Sequence, residues 1–127
     1  MLQTFPLTGA MAAPPLAPPP NPYAAPDAPV AATLVWTGGQ YTVRPGAEVL
    51  VGRDPGRCPI TLAEPRVSGV HAAMRFEDGQ VWVRDEGSNN GTYLQGARLQ
   101  AGIWTPVPPG PSLRVGPIDM LVRLEMP

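Results

Sequence analysis

"QVWVRDEGSNNGTYLQ", residues 80–95, contains the transition that decides the fold. In its first half Val81 and Val83 point one way while Trp82 and Arg84 point the other, the period of two expected of a half-buried strand. Small polar residues and glycines then interrupt from Gly87 to Gly91, and Thr92, Tyr93 and Leu94 resume the strand-like pattern. A turn needs about two such residues. Ser88, Asn89, Asn90, Gly91 and Thr92 in a row exceed that need, so the segment has a second job.

Outward from this stretch the same texture extends to both sides. "TLVWT", "QYTVR", "EVLVGR", "CPITL", "HAAMRFE", "ARLQ", "SLRVG" and "DMLVRLE" are short runs in which apolar and polar residues alternate. Turn formers separate them, among them Pro45-Gly46, Asp54-Pro55-Gly56, Asp78-Gly79, Gln95-Gly96 and Pro108-Pro109-Gly110. No stretch repeats apolar residues at helical spacing for three turns. About ten short strands at even spacing, with no helices between them, predict an antiparallel sandwich or barrel. "TPVPPGPS", residues 105–112, reads as a loop between the last strands because of its prolines. Trp36, Trp82 and Trp104 are dispersed and read as packing anchors.

The first 31 residues differ in kind. Nine of the 19 prolines fall before Val30, in "MLQTFPLTGAMAAPPLAPPPNPYAAPDAP". Proline fixes its own φ, lacks a donor N–H and disfavours helix in the residue before it, so this segment is expected to be an extended, disordered tail or linker. Residues 32–127 then form the globular domain. The tail has neither the basic start nor the uninterrupted apolar stretch of a secretory signal, and no window reaches the roughly 20 apolar residues of a membrane helix. A cytoplasmic protein without membrane insertion is expected.

Composition excludes several classes. The formal net charge is -1, lysine is absent, and the nine arginines are dispersed, which argues against non-specific nucleic-acid binding. One cysteine, Cys58, and one histidine, His71, make neither a zinc site nor an internal disulfide, so no metal or cofactor is expected. Cys58 reads as a small buried apolar residue. A chain without lysine has no P-loop lysine. Ser68, His71 and Asp85 do not read as a hydrolase triad, because no nucleophile elbow accompanies them.

Three polar constellations remain: "GRDPGR" at 52–57, "RVSGVH" at 66–71 and "DEGSNNGT" at 85–92. Each follows or joins strands, and loops at one end of a sandwich can converge on one site. Gly52-Arg53, then Ser68-x-x-His71, then Asp85-x-Gly87-Ser88-x-Asn90-Gly91-Thr92 resembles the forkhead-associated (FHA) domain in order and spacing, over about Leu34 to Glu125. The resemblance implies a SMAD/FHA-like sandwich of about eleven strands that binds a phosphothreonine peptide, not an enzyme.

What the resemblance implies residue by residue is specific. Arg53 matches the arginine that contacts the phosphate, and its planar fork suits a dianion with three acceptor oxygens. Ser68 matches the serine whose hydroxyl and backbone N–H bond the phosphate. Asn89 sits where the family often has a threonine that reaches the phosphate, and Asn90 matches the asparagine that holds the peptide main chain. Gly69 stands where many relatives carry a basic residue, so one phosphate contact is missing, and Arg57 and Arg66 are the candidates to replace it. Gln95 stands for a common asparagine and Pro111 for a common acidic residue, at positions of turn geometry. Gly52, His71, Asp85, Ser88 and Gly91 are expected to support the site, with Asn90-Gly91 and Gln95-Gly96 tolerating positive backbone angles.

The expected partner is a Thr-phosphorylated protein or peptide downstream of a Ser/Thr kinase, bound by a monomeric adaptor. The domain's own tail is a second candidate, through Thr4 or Thr8, since the intervening chain at about 3 Å per residue reaches any face of a compact domain. An FHA-fold module that binds its partner independently of phosphorylation is the alternative. The proline-rich tail is read as a spacer before it is read as a ligand for a proline-binding groove.

Overall fold

The computed structural model describes residues 28–127; the expected tail, with Thr4 and Thr8, lies outside the described residues. Eleven strands follow one another: β1 (Ala31–Trp36), β2 (Gly39–Val43), β3 (Glu48–Gly52), β4 (Ile60–Thr61), β5 (Ala72–Glu77), β6 (Gln80–Asp85), β7 (Thr92–Leu94), β8 (Ala97–Arg98), β9 (Thr105–Val107), β10 (Gly110–Val115) and β11 (Ile118–Glu125). They form a six-stranded sheet, β2-β1-β11-β10-β7-β8, and a five-stranded sheet, β4-β3-β5-β6-β9. Among the described residues there is no helix. The first strand begins one residue ahead of the expected boundary at 32, and the Val30 amide already donates to the Glu125 carbonyl at 2.8 Å.

Alternation puts the core between the sheets. Val81, Val83 and Asp85 of β6 are buried while Trp82 and Arg84 are half-exposed, and Val49 and Val51 of β3 are buried around a half-exposed Leu50. Leu34, Ile60, Met74, Phe76, Leu113 and Met120 fill the centre. A fully buried aliphatic or aromatic side chain contributes about 1.5–3 kcal/mol, so this layer supplies most of the cohesion. Trp104 is buried beneath the Arg84 guanidinium, whose carbon lies 4.5 Å from the ring centre.

Two local expectations are corrected. Most of residues 105–112 is strand rather than loop: Gly110–Ser112 open β10, only Pro108 and Pro109 connect, and Thr105–Val107 pairs antiparallel with β6 in the register Val81↔Val107, Trp82↔Pro106 and Val83↔Thr105. β9 is the edge of its sheet, where a proline whose nitrogen faces away from the neighbouring strand costs no ladder bond. The sheets are also not wholly antiparallel, because β3 and β4 run parallel through Val51↔Ile60 and Gly52↔Thr61. Residues 53–59 loop back to bring β4 alongside β3 in the same direction, and so project from the end of the sheet.

Candidate functional site

Three connections meet at that end: the β3–β4 turn at 53–59, the β4–β5 loop at 62–71 and the β6–β7 loop at 86–91. The first two are held together by backbone. Arg53 N–H donates to Ser68 O at 2.9 Å and Asp54 N–H to Gly69 O at 3.1 Å. Gly52 permits this approach. A Cβ there would fall deep inside van der Waals contact with the Gly69 carbonyl oxygen and 2.9 Å from Cys58 Sγ. Cys58 is buried and its thiol donates to Gly69 O at 3.2 Å, while burial, then the nearby Asp54 charge, pushes its pKa up. It is a packing residue, as read from the sequence.

His71 couples the second and third connections. It is fully buried; its Nδ1 accepts the Ser68 amide at 3.1 Å, which puts the ring proton on Nε2, 2.8 Å from the Gly91 carbonyl. This corrects one expectation: the Ser68 N–H, read as an anion donor, is committed to the imidazole. Both ring nitrogens are thus occupied by backbone and neither bonds the Ser68 hydroxyl, so Ser68, His71 and Asp85 are not arranged as a Ser-His-Asp triad.

Asp85, at the end of β6, builds the β6–β7 loop from inside. Its Oδ2 accepts the amides of Gly87 and Ser88 at 3.0 and 3.1 Å, and its Oδ1 accepts the hydroxyls of Ser88 and Thr92 at 2.6 and 2.8 Å. Burial raises the Asp85 pKa, but the bonds from Ser88, Thr92 and the Ser88 and Gly87 amides outweigh it and hold the carboxyl below its usual value. Ser88 Oγ in turn accepts the Gly91 amide at 3.0 Å. Gly87 and Gly91 take positive φ, 76° and 84°, whereas Asn90 does not; the expected Asn90-Gly91 turn uses only its glycine.

On this scaffold the exposed side chains converge. Arg53 Nη1 donates to the carbonyls of Pro65 and Val67 at 2.8 and 3.0 Å, so the guanidinium is laid along the 65–67 backbone. Among the described residues it has no carboxylate partner. Ser68 Oγ accepts the Asn89 amide at 3.2 Å, leaving the hydroxyl proton to be donated. Asn90 Nδ2 donates to Arg66 O at 2.7 Å, leaving Oδ1 to accept. Arg53, Ser68, Asn89 and Asn90 thus all engage the segment 65–68, and Gly69 adjoins it.

Two residues to which sequence reasoning assigned no individual role also belong here. Thr92 is fully buried on Asp85, and its signal was its place in the polar run. Arg98 donates from Nη2 to Asn89 O at 3.2 Å and packs on Gly91, where a Cβ would meet its Nε at 2.7 Å. Beside the rim lies a shallow cleft of about 190 Å³ lined by Arg66, Asn90, Tyr93, Arg114, Gly116 and Pro117. Arg114 stacks over the Tyr93 ring at 4.4 Å. A larger groove, beside Trp36 and Leu62, has no arginine in its lining and is separate from this donor set.

A family model described as the FHA domain matches residues 49–116. The chain belongs to the FHA domain family. Over 78 residues it is 37% identical to the ABC transporter ATP-binding/permease protein Rv1747 of Mycobacterium tuberculosis, a match covering 61% of this chain and 9% of the relative. Over 96 residues it is 30% identical to the FHA domain-containing protein FhaB of the same species, covering 71% of this chain and 59% of FhaB. The chain therefore spans less than two thirds of either relative. A structure from a study of phosphothreonine-dependent FHA domain interactions superposes with a TM-score of 0.64 at 26% identity, over 73% of this chain and 95% of the other. No described helix is long and apolar enough to cross a membrane, and the described residues hold no cluster of three or more His, Cys, Asp or Glu suited to a metal ion.

Proposed function

We propose that the chain is a phosphothreonine-dependent peptide-binding module, a monomeric cytoplasmic adaptor in a Ser/Thr kinase pathway rather than an enzyme. The observation that carries this reading is Arg53: a guanidinium without a carboxylate partner among the described residues, seated on the Pro65 and Val67 carbonyls, next in the chain to Ser68. A phosphate monoester brings about two negative charges and three acceptor oxygens to such a place. Arg53 supplies the bidentate cation, Ser68 Oγ–H and the Asn89 side chain supply neutral donors, and Asn90 Oδ1 accepts a main-chain N–H of the bound peptide. The phosphothreonine dependence named for the related structure supports the same reading.

The test is fluorescence anisotropy with phosphothreonine peptides drawn from a degenerate library, beside their unmodified and phosphoserine counterparts. Wild type should bind only the phosphothreonine forms, and Arg53→Ala should weaken them by more than about ten-fold, the scale of a lost charge-assisted bond. Equal binding of phosphorylated and unmodified peptides would replace this reading with a phosphate-independent interaction module. Thr4 and Thr8 are proposed as an internal ligand once phosphorylated. Phosphorylation of the full chain should then weaken binding of an outside peptide, and unchanged affinity ends that part of the proposal.

A further inference from the structure

The β3–β4 turn carries a second arginine to the same rim, and Asp54 organises it. Asp54 Oδ1 accepts the Gly56 amide at 2.9 Å, and its carbonyl accepts the amides of Arg57 and Cys58 at 3.2 and 2.9 Å. Its Oδ2 takes Arg57 Nε at 2.7 Å. Because the Asp54 amide and the Cys58 thiol both bond Gly69 O, the whole turn is anchored to the residue after Ser68. The clamped guanidinium therefore extends across Gly69, with Nη2 3.2 Å from the position a Cβ on Gly69 would take.

Only Nε of this guanidinium is committed; neither amino nitrogen has an acceptor among the described residues. The Arg57–Asp54 pair is exposed, with side-chain accessibilities of 62% and 38%, and exposed pairs add little to stability. Fold maintenance is thus a weak reason for holding a cation over bare backbone. Arg53 lies along 65–67 and Arg57 over Gly69, so the two guanidinium groups flank Ser68 along the chain. A dianion at the Ser68 hydroxyl would therefore have a guanidinium held on the residues before it and another on the residue after it.

Resting on the phosphopeptide reading above, we propose that Arg57, held across Gly69 by Asp54, is a second phosphate-binding cation of this site. The bare Cα of Gly69 is what leaves room for it. A side chain at position 69 would compete with Arg57 for the same space, so one basic group, from either position, is accommodated there.

The probe is a fluorescent phosphothreonine peptide selected from the degenerate library with the wild-type protein. Arg57→Ala should raise its Kd by about three- to ten-fold at low ionic strength, less than a buried contact because the group is exposed, and the difference should shrink in 1 M salt. Arg57→Gln keeps a neutral donor for Asp54 and should show the same loss, which separates charge from turn geometry. Adding Gly69→Lys to Arg57→Ala should restore affinity to within about two-fold of wild type by returning a cation to the space. Wild-type affinity in Arg57→Gln, with Arg53→Ala still defective, overturns the role of Arg57 and leaves the phosphopeptide reading standing. Wild-type affinity in both Arg57→Gln and Arg53→Ala overturns that reading itself.

Discussion

The Gly91 carbonyl oxygen accepts two hydrogen bonds, one from His71 Nε2 at 2.8 Å and one from the Gly116 amide at 2.9 Å. Since His71 Nδ1 also takes the Ser68 amide, the buried ring ties the β4–β5 connection to the β6–β7 one, and the carbonyl it bonds ties in the β10–β11 connection. His71→Phe fills the volume but leaves the Ser68 N–H and part of the Gly91 carbonyl without partners. A buried polar group stripped of its bond costs about 1–3 kcal/mol, so a loss of about 2–4 kcal/mol is expected in urea unfolding. Phosphopeptide affinity should fall with it even where the variant is fully folded, because Ser68 and Asn89 lose their fixed spacing.

Gly52 makes a sharper steric prediction. The smallest possible side chain would collide with the Gly69 carbonyl, which cannot simply withdraw because it also accepts the Asp54 amide. Gly52→Ala must therefore part the β3–β4 turn from the β4–β5 loop. Overpacking of this kind costs about 1–3 kcal/mol. Thermal unfolding should show that loss, and amide NMR shifts should move at Ser68, Gly69 and Arg57 while β11 stays as it was.

Asp85 gives the pH dependence. Its folded pKa lies below the ordinary 3.8, because bonds from Ser88, Thr92 and two amides overcome its burial. The unfolded chain then binds more protons than the folded one in the window between the two values, so stability falls as pH falls there. The contribution is fully present above the unfolded value and is lost as pH drops through the folded one. Asp54, Glu64 and Glu125 shift the same way through their arginine and hydroxyl partners, but they stand closer to solvent and count for less. Asp85→Asn should destabilise the domain at pH 7 and flatten stability against pH below about 4, as read by urea titrations.

How far the sequence carried the reading differs from residue to residue. Strands such as β6 declared themselves because alternate residues, Val81 and Val83, face the core while Trp82 and Arg84 between and after them do not. β9 stayed hidden because Pro106 reads as a breaker unless its position at a sheet edge is known. Arg53, Ser68 and Asn90 could be nominated from three ordered motifs, since loops at one end of a sandwich have few places to go. What the motifs could not state is which donors are already used: the Ser68 amide is taken by a histidine three residues on, and the Arg57 direction depends on a carboxylate three residues before it. Those are choices between competing partners, and they are settled only when the loops meet.

The β7–β8 hairpin offers a gain rather than a loss. Gln95 has φ of 50° and Gly96 of 84°, the two left-handed residues of a type I′ turn. Left-handed backbone costs an ordinary side chain about 1 kcal/mol, and asparagine bears it better because its short amide bonds the local backbone. Gln95 is exposed, and the bond its amide gives to Ser112 O at 2.7 Å is backbone and survives substitution. Gln95→Asn should therefore stabilise the domain by about 0.5 kcal/mol, raising Tm by roughly 2–4 °C in calorimetry. Because the turn lies apart from the Ser68 rim, peptide affinity should not change; a lower Tm would show that the glutamine side chain holds something the turn geometry does not require.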